Sequence, residues 1–125
     1  MIINLTQHTA SPAPIFAGVV DLPPSARSLL EAWLTFDTCP GTADVAWRAE
    51  AIAALAAEAH PPLAWRAEAM IGGAPWLMSP LAEELRRLGI KPLFAFSRRQ
   101  AVDQVQPDGS VRKTAVFRHG GWVHA

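Results

Sequence analysis

A single cysteine, Cys39, occurs among 125 residues. One thiol closes no internal disulfide, which fits a reducing compartment, so a cytoplasmic location is expected. There is no excess of charge either, with 11 Lys and Arg against 11 Asp and Glu. That balance excludes a protein that coats DNA, RNA or an anionic membrane through bulk charge. Pro, Gly or a charged residue interrupts every apolar run well short of about 18 residues, so no membrane-spanning helix is expected. The opening MIINLTQHTA lacks the basic stretch of a secretory signal, and none is expected. Histidines stand at 8, 60, 119 and 124 with no HxH, HxxxH or CxxC spacing, so no metal and no other cofactor is expected. The GxSxG elbow, the GxGxxG fingerprint and the Lys-Ser/Thr of a P-loop are missing too. What the chain has is apolar material, 50% of its residues, enough for one core. Residues 1–125 are expected to form a single domain, within the usual size of about 100–150 residues.

Eleven prolines punctuate the sequence. Residues 2–5 read as a first strand. Ser11-Pro12 reads as a helix start, with one or two turns ending at Gly18. Residues 19–22 form a short strand closed by Pro23-Pro24. Over residues 25–36 Leu29, Leu30, Trp33 and Leu34 recur at helical spacing. Thr42–Ala59 is rich in alanine and other helix formers, with Val45, Ile52 and Leu55 for one face. After His60-Pro61-Pro62, residues 67–71 read as a buried strand stopped by Gly72-Gly73. Residues 75–88 read as a helix with Leu77, Met78, Leu81, Leu85 and Leu88 inward, either continuous or with a first turn at Pro75 and a restart at Pro80 capped by Ser79. Residues 92–96 give a central strand. Two β-rich runs, Val102 and Val105 then Val111, Val116 and Phe117, flank Pro107-Asp108-Gly109 as a hairpin. The alternation predicts an α/β fold: a three-layer, Rossmann-like, mainly parallel sheet with a C-terminal antiparallel hairpin at one edge. Ala-Trp-Arg-Ala-Glu-Ala occurs at 46–51 and again at 64–69, too short a repeat to build a solenoid.

In open α/β sheets ligands sit outside the carboxyl ends of the strands. Asn4, Thr6, Gln7 and His8 follow the first strand, Gly72-Gly73-Ala74-Pro75 the 67–71 strand, and Ser97, Arg98, Arg99 and Gln100 the 92–96 strand. Two glycines let a backbone approach a ligand closely, and a helix starting at Pro75 favours an anion, though a turn of this kind also occurs with nothing bound. Arg98 and Arg99 could grip phosphate or carboxylate, with Ser97 donating, or stand in solvent. His8 could move a proton or donate to an anion. His119, before Gly120-Gly121, is a weaker candidate, and His60 and His124 receive no role. Cys39 reads as a loop thiol, and Trp33 and Trp76 as core or subunit contacts.

Four segments carry a resemblance: Asn4-Leu5-Thr6-Gln7-His8-Thr9-Ala10, Met70-Ile71-Gly72-Gly73-Ala74-Pro75, Leu93-Phe94-Ala95-Phe96-Ser97-Arg98-Arg99 and Gln106-Pro107-Asp108-Gly109-Ser110-Val111. Together they resemble a family of small, largely uncharacterised bacterial and phage proteins, over most of the chain and least over residues 25–46. In architecture the chain is also similar to small Rossmann-like proteins of type III CRISPR antiviral systems, the CARF domains and ring nucleases. That likeness implies binding of cyclic oligoadenylates, cleavage in some cases, and homodimers. It carries over no catalytic residue.

The resulting expectation is an anionic, nucleotide-type ligand at the carboxyl edge, held by Thr6, Gln7, Gly72, Gly73, Ser97 and Arg99. The enzymatic form would be metal-independent cleavage of a phosphodiester ring by its own ribose 2′-hydroxyl, with His8 and Arg98 as catalytic groups. The alternatives are a non-enzymatic homodimeric interaction protein and an enzyme acting on a nucleoside-type substrate.

Overall fold

A computed structural model describes residues 1–10, 18–61 and 66–125. Its elements are β1 (Ile2–Leu5), β2 (Val19–Asp21), α1 (Pro24–Leu34), α2 (Thr42–Ala59), β3 (Glu68–Ile71), α3 (Pro75–Arg87), β4 (Lys91–Val105) and β5 (Val111–His124). The helix expected after Ser11, and the first two residues of the second hexapeptide, lie outside the described residues. The five strands form one sheet in the order β2-β1-β3-β4-β5. β1 is parallel to β2 and β3, β3 is parallel to β4, and β4 is antiparallel to β5. The fold is therefore mixed α/β, mostly parallel, with a C-terminal antiparallel pair.

Alternation along the strands divides the sheet into two faces. Ile3 and Leu5 of β1 and Ala69 and Ile71 of β3 share one core with Leu30 and Leu34 of α1, Ile52 and Ala56 of α2, and Leu77, Leu81 and Leu85 of α3. On the other face Asn4, Met70 and Leu93, in register across β1, β3 and β4, are buried as well. No helix among the described residues is long and apolar enough to cross a membrane.

Two expectations are corrected, and of the two readings of residues 75–88 the continuous helix holds. Leu88 lies half exposed just past the C-terminus of α3, not inward. α3 runs unbroken through Pro80, because Leu77, Leu81 and Leu85 hold one face of it in the core while only one backbone bond is lost. The second correction bears on the site: β4 does not stop at Phe96. It runs for 15 residues from Lys91 to Val105, paired with β5 from Leu93 onward. The run Ser97-Arg98-Arg99-Gln100 looked like a loop because it is polar. A two-stranded ribbon wetted on both sides accepts such residues, and pairing with residues 116–119 satisfies their backbone.

β3 accompanies β4 only as far as Met70 opposite Leu93. Residues 97–119 thus form an arm that leaves the body of the sheet. Its root is a bulge, where Phe96 faces Gly121, Ser97 faces His119 and Gly120 is the extra residue.

Candidate functional site

The strand order creates a switch point. The chain leaves β1 toward β2 on one side and leaves β3 toward β4 on the other. A crevice between the carboxyl ends of β1 and β3 follows from that divergence. Leu5 pairs with Ile71, so the next residues of both strands are neighbours. A methyl group added to Gly72 would sit 3.4 Å from Cγ2 of Thr6. Thr6 thus stands beside Gly72, while the turn through His8 and Ala10 is held toward Asp21 of β2. Ser97, Arg98 and Arg99 do not join them at a strand end, since they stand within β4 on the arm. Successive residues there point to opposite faces, so Arg98 and Arg99 do not form one clamp.

The turn after β1 is shaped by Asn4, fully buried on the sheet. Its Nδ2 donates to the His8 carbonyl at 2.8 Å and to Oδ1 of Asp21 at 2.7 Å. Its Oδ1 accepts from the backbone N–H of Thr6 at 2.9 Å and from Oγ1 of Thr6 at 2.6 Å. Asp21, beside Asn4 in register on β2, also accepts the N–H of Ala10 at 3.0 Å. Every donor and acceptor of the Asn4 amide is used, which fixes residues 6–10 over the strand end. The ring of His8 is left exposed at the rim of that turn.

The guanidinium beside this turn is that of Arg27, not of Arg98 or Arg99. Arg27 is 8% exposed on α1. Its Nη2 donates to the Gln7 carbonyl at 2.8 Å and approaches that of Thr6 at 3.4 Å. Its Nε and Nη1 are buried with no hydrogen-bond partner among the described residues. Glu31 comes to 3.5 Å from Nε, near enough to pair charges but not to accept that proton. Buried donors left unmade cost about 1–3 kcal/mol. A trace of this exists in the sequence: Arg27 stands three residues before Leu30 and seven before Leu34, on the inward stripe of the helix.

Gly73 has φ +143, a conformation side chains rarely adopt, and a methyl there would lie 3.8 Å from Cδ2 of Leu34. α1 therefore reaches from the turn after β1, through Arg27, to the turn after β3, through Leu34. The start of α3 offers few anion donors: Pro75 has no N–H, and the N–H of Leu77 turns back to the Ala74 carbonyl at 3.0 Å. Next to it lies a groove of about 800 Å³ lined by Phe36, Cys39, Val45, Trp76 and Pro80 among others. Phe36 and Trp76 meet edge to face at 5.5 Å, and the Arg48 guanidinium lies 4.2 Å over Phe36. Trp76 is 52% exposed there, not a core residue.

Sheet and helices define a small mixed α/β domain with a topological switch point between β1 and β3. The chain belongs to the Uncharacterized protein MJ1673 family, whose family model matches residues 1–123. No curated protein and no solved structure matches it. The expected resemblance agrees with this match only in that the family is an uncharacterised one; the four segments that suggested it, and the likeness to CARF domains and ring nucleases, form no part of the match.

Proposed function

We propose that the protein binds an anionic, nucleotide-type ligand at the β1/β3 crevice. The observation that carries this reading is Arg27, a buried guanidinium beside the turn after β1 with two nitrogens unpartnered among the described residues. Phosphate or carboxylate oxygens would complete it. Gly72 and Gly73 allow close backbone approach, and Thr6, Gln7 and His8 supply polar groups. Phe36 and Trp76 offer a stacking surface beyond the other end of α1. Phe36 lies two residues beyond the C-terminus of α1, at the end away from Arg27. Burial of Asn4, Met70 and Leu93 on the second sheet face is what a third layer would account for, although α1, α2 and α3 all join the core on the first face. A cyclic oligoadenylate is the ligand to which the architectural likeness points, and ring cleavage with His8 moving the proton is the enzymatic form. Arg98, on the arm, belongs to neither.

The test is a thermal-shift and calorimetric screen of inorganic phosphate, mononucleotides and linear and cyclic oligoadenylates against wild type, Arg27→Met and Arg98→Ala plus Arg99→Ala. A nucleotide raises the melting temperature of wild type and of the double variant, while Arg27→Met loses about tenfold or more in affinity. Without ligand, Arg27→Met stays folded and gains up to about 2 kcal/mol, since it removes a poorly compensated buried charge. A flat screen, or full binding by Arg27→Met, overturns the reading.

A further inference from the structure

The arm formed by residues 97–119 is unexplained by a crevice ligand. A two-stranded ribbon is marginal in water when nothing covers it. This one has a distinctly apolar face. Arg99 pairs with Phe117, Ala101 with Ala115, Asp103 with Lys113 and Val105 with Val111, and by alternation all eight residues point the same way. Phe117 and Val105 are each 72% exposed and Val111 is 60% exposed. None of the arm's residues belongs to the hydrophobic core.

Charge says what covers it. The arm holds Arg98, Arg99, Arg112, Lys113 and Arg118 against Asp103 and Asp108, a net +3. The rest of the chain is then −3, because the whole is neutral. The apolar face itself carries Arg99 and Lys113 against Asp103, with Arg98, Arg112 and Arg118 on the opposite face, and an acidic helix face on a second copy meets its two cations as well as its apolar surface. We propose that the apolar face of the arm docks across the outer side of α2 in a second copy, reciprocally, as a two-fold dimer.

α2 presents Trp47, Glu50, Ala54 and Glu58 outward, spaced by three or four residues, and Trp47 is 46% exposed. Its only basic residue, Arg48, is turned toward Asp44 and the Trp33 and Thr35 carbonyls. Within its own chain α2 packs on α1, α3 and β1. The cation acting on Glu50 from α3 is Arg87, which is already paired with Glu84. The dimensions agree. Residues 97–105 extend about 30 Å as a strand, and the 18 residues of α2 extend about 27 Å. Arg99 and Lys113 are separated by about 13 Å along the ribbon, and Glu50 and Glu58 by about 12 Å along the helix. With Arg99 at Glu58 and Lys113 at Glu50, Ala101 and Ala115 would lie over Ala54 between the carboxylates, and Val105 and Val111 would reach Trp47 beyond Glu50.

Sedimentation velocity from about 1 to 100 µM tests this on the full chain. Wild type sediments as a dimer. Phe117→Ser, Arg99→Glu plus Lys113→Glu, and Glu50→Lys plus Glu58→Lys each weaken association by about tenfold or more, with unchanged far-ultraviolet circular dichroism because all these positions are exposed. Mixing the two charge-reversed proteins restores a dimer, since each reversed surface meets its complement. A monomeric wild type, a dimer that survives either reversal, or a mixture that stays monomeric overturns the proposal. So does a monomer that gains mass only with single-stranded RNA, which would assign the arm's basic residues to nucleic acid instead.

Discussion

His60 had no role in the sequence and proves to be a buried imidazole at the end of α2. Its Nε2 donates to the Glu68 carbonyl at 3.1 Å, tying the helix end to the start of β3. Burial lowers its pKa, the hydrogen bond to Glu68 opposing the effect in part. A base whose folded pKa lies below its unfolded value takes up its proton in the unfolded chain first. Stability contributed by neutral His60 is therefore full above the unfolded value of about 6.5 and declines as pH falls below it. The melting temperature of wild type is expected to drop between about pH 7.5 and 5.5 more than that of His60→Gln, which keeps a donor without the titration. Equal slopes in a pH series of thermal melts would remove His60 as the cause. Arg27 and Asp21 teach the same lesson about legibility. Thr6, Gln7, His8, Gly72 and Gly73 were readable because they follow strands that hydropathy marks plainly. Arg27 and Asp21 were not, because each lies within an element and becomes meaningful only through what faces it across the fold.

At the scale of elements, β1, α2 and β3 were legible within a residue at either end, since burial imposes a clear apolar pattern on each. The exceptions are elements whose stability comes from a partner. α3 passes through Pro80 because three leucines anchor it. β4 passes through Ser97 to Gln100 because β5 pairs with it, which hydropathy along one strand does not reveal. The root of that pairing makes a sharp comparison possible. Gly121 has φ +140, whereas Gly120 is conformationally ordinary, and a methyl on it would come 3.0 Å from Cδ1 of Phe96. That ring is half exposed and can swing away. Gly121→Ala is expected to cost about 1–3 kcal/mol in the free energy of opening the arm. Gly120→Ala is expected to cost under about 1 kcal/mol. Amide exchange of Phe96 and its neighbours reads both values, and a larger penalty at Gly120 would mean that Phe96 is fixed in place.

Across the whole molecule the core and the arm are separate in substance. The apolar cluster draws on β1, β3 and all three helices, and beyond Phe94 takes only Ala125 from the C-terminal pair. Ala125 is held by its N–H to the Pro92 carbonyl at 3.1 Å and by Arg86 through its own carbonyl. The body therefore has what it needs to fold without residues 97–119. Replacing residues 97–120 by Asn-Gly, so that Phe96 and Gly121 flank a two-residue hairpin turn, is expected to leave the circular dichroism of the body intact. At dilutions where the dimer is dissociated, its melting temperature should stay within about 5 °C of the full chain. At high concentration the full chain gains stability by mass action and the shortened one does not. A body that fails to fold without the arm, even when dilute, would show that the ribbon stabilises its own chain and not a neighbour.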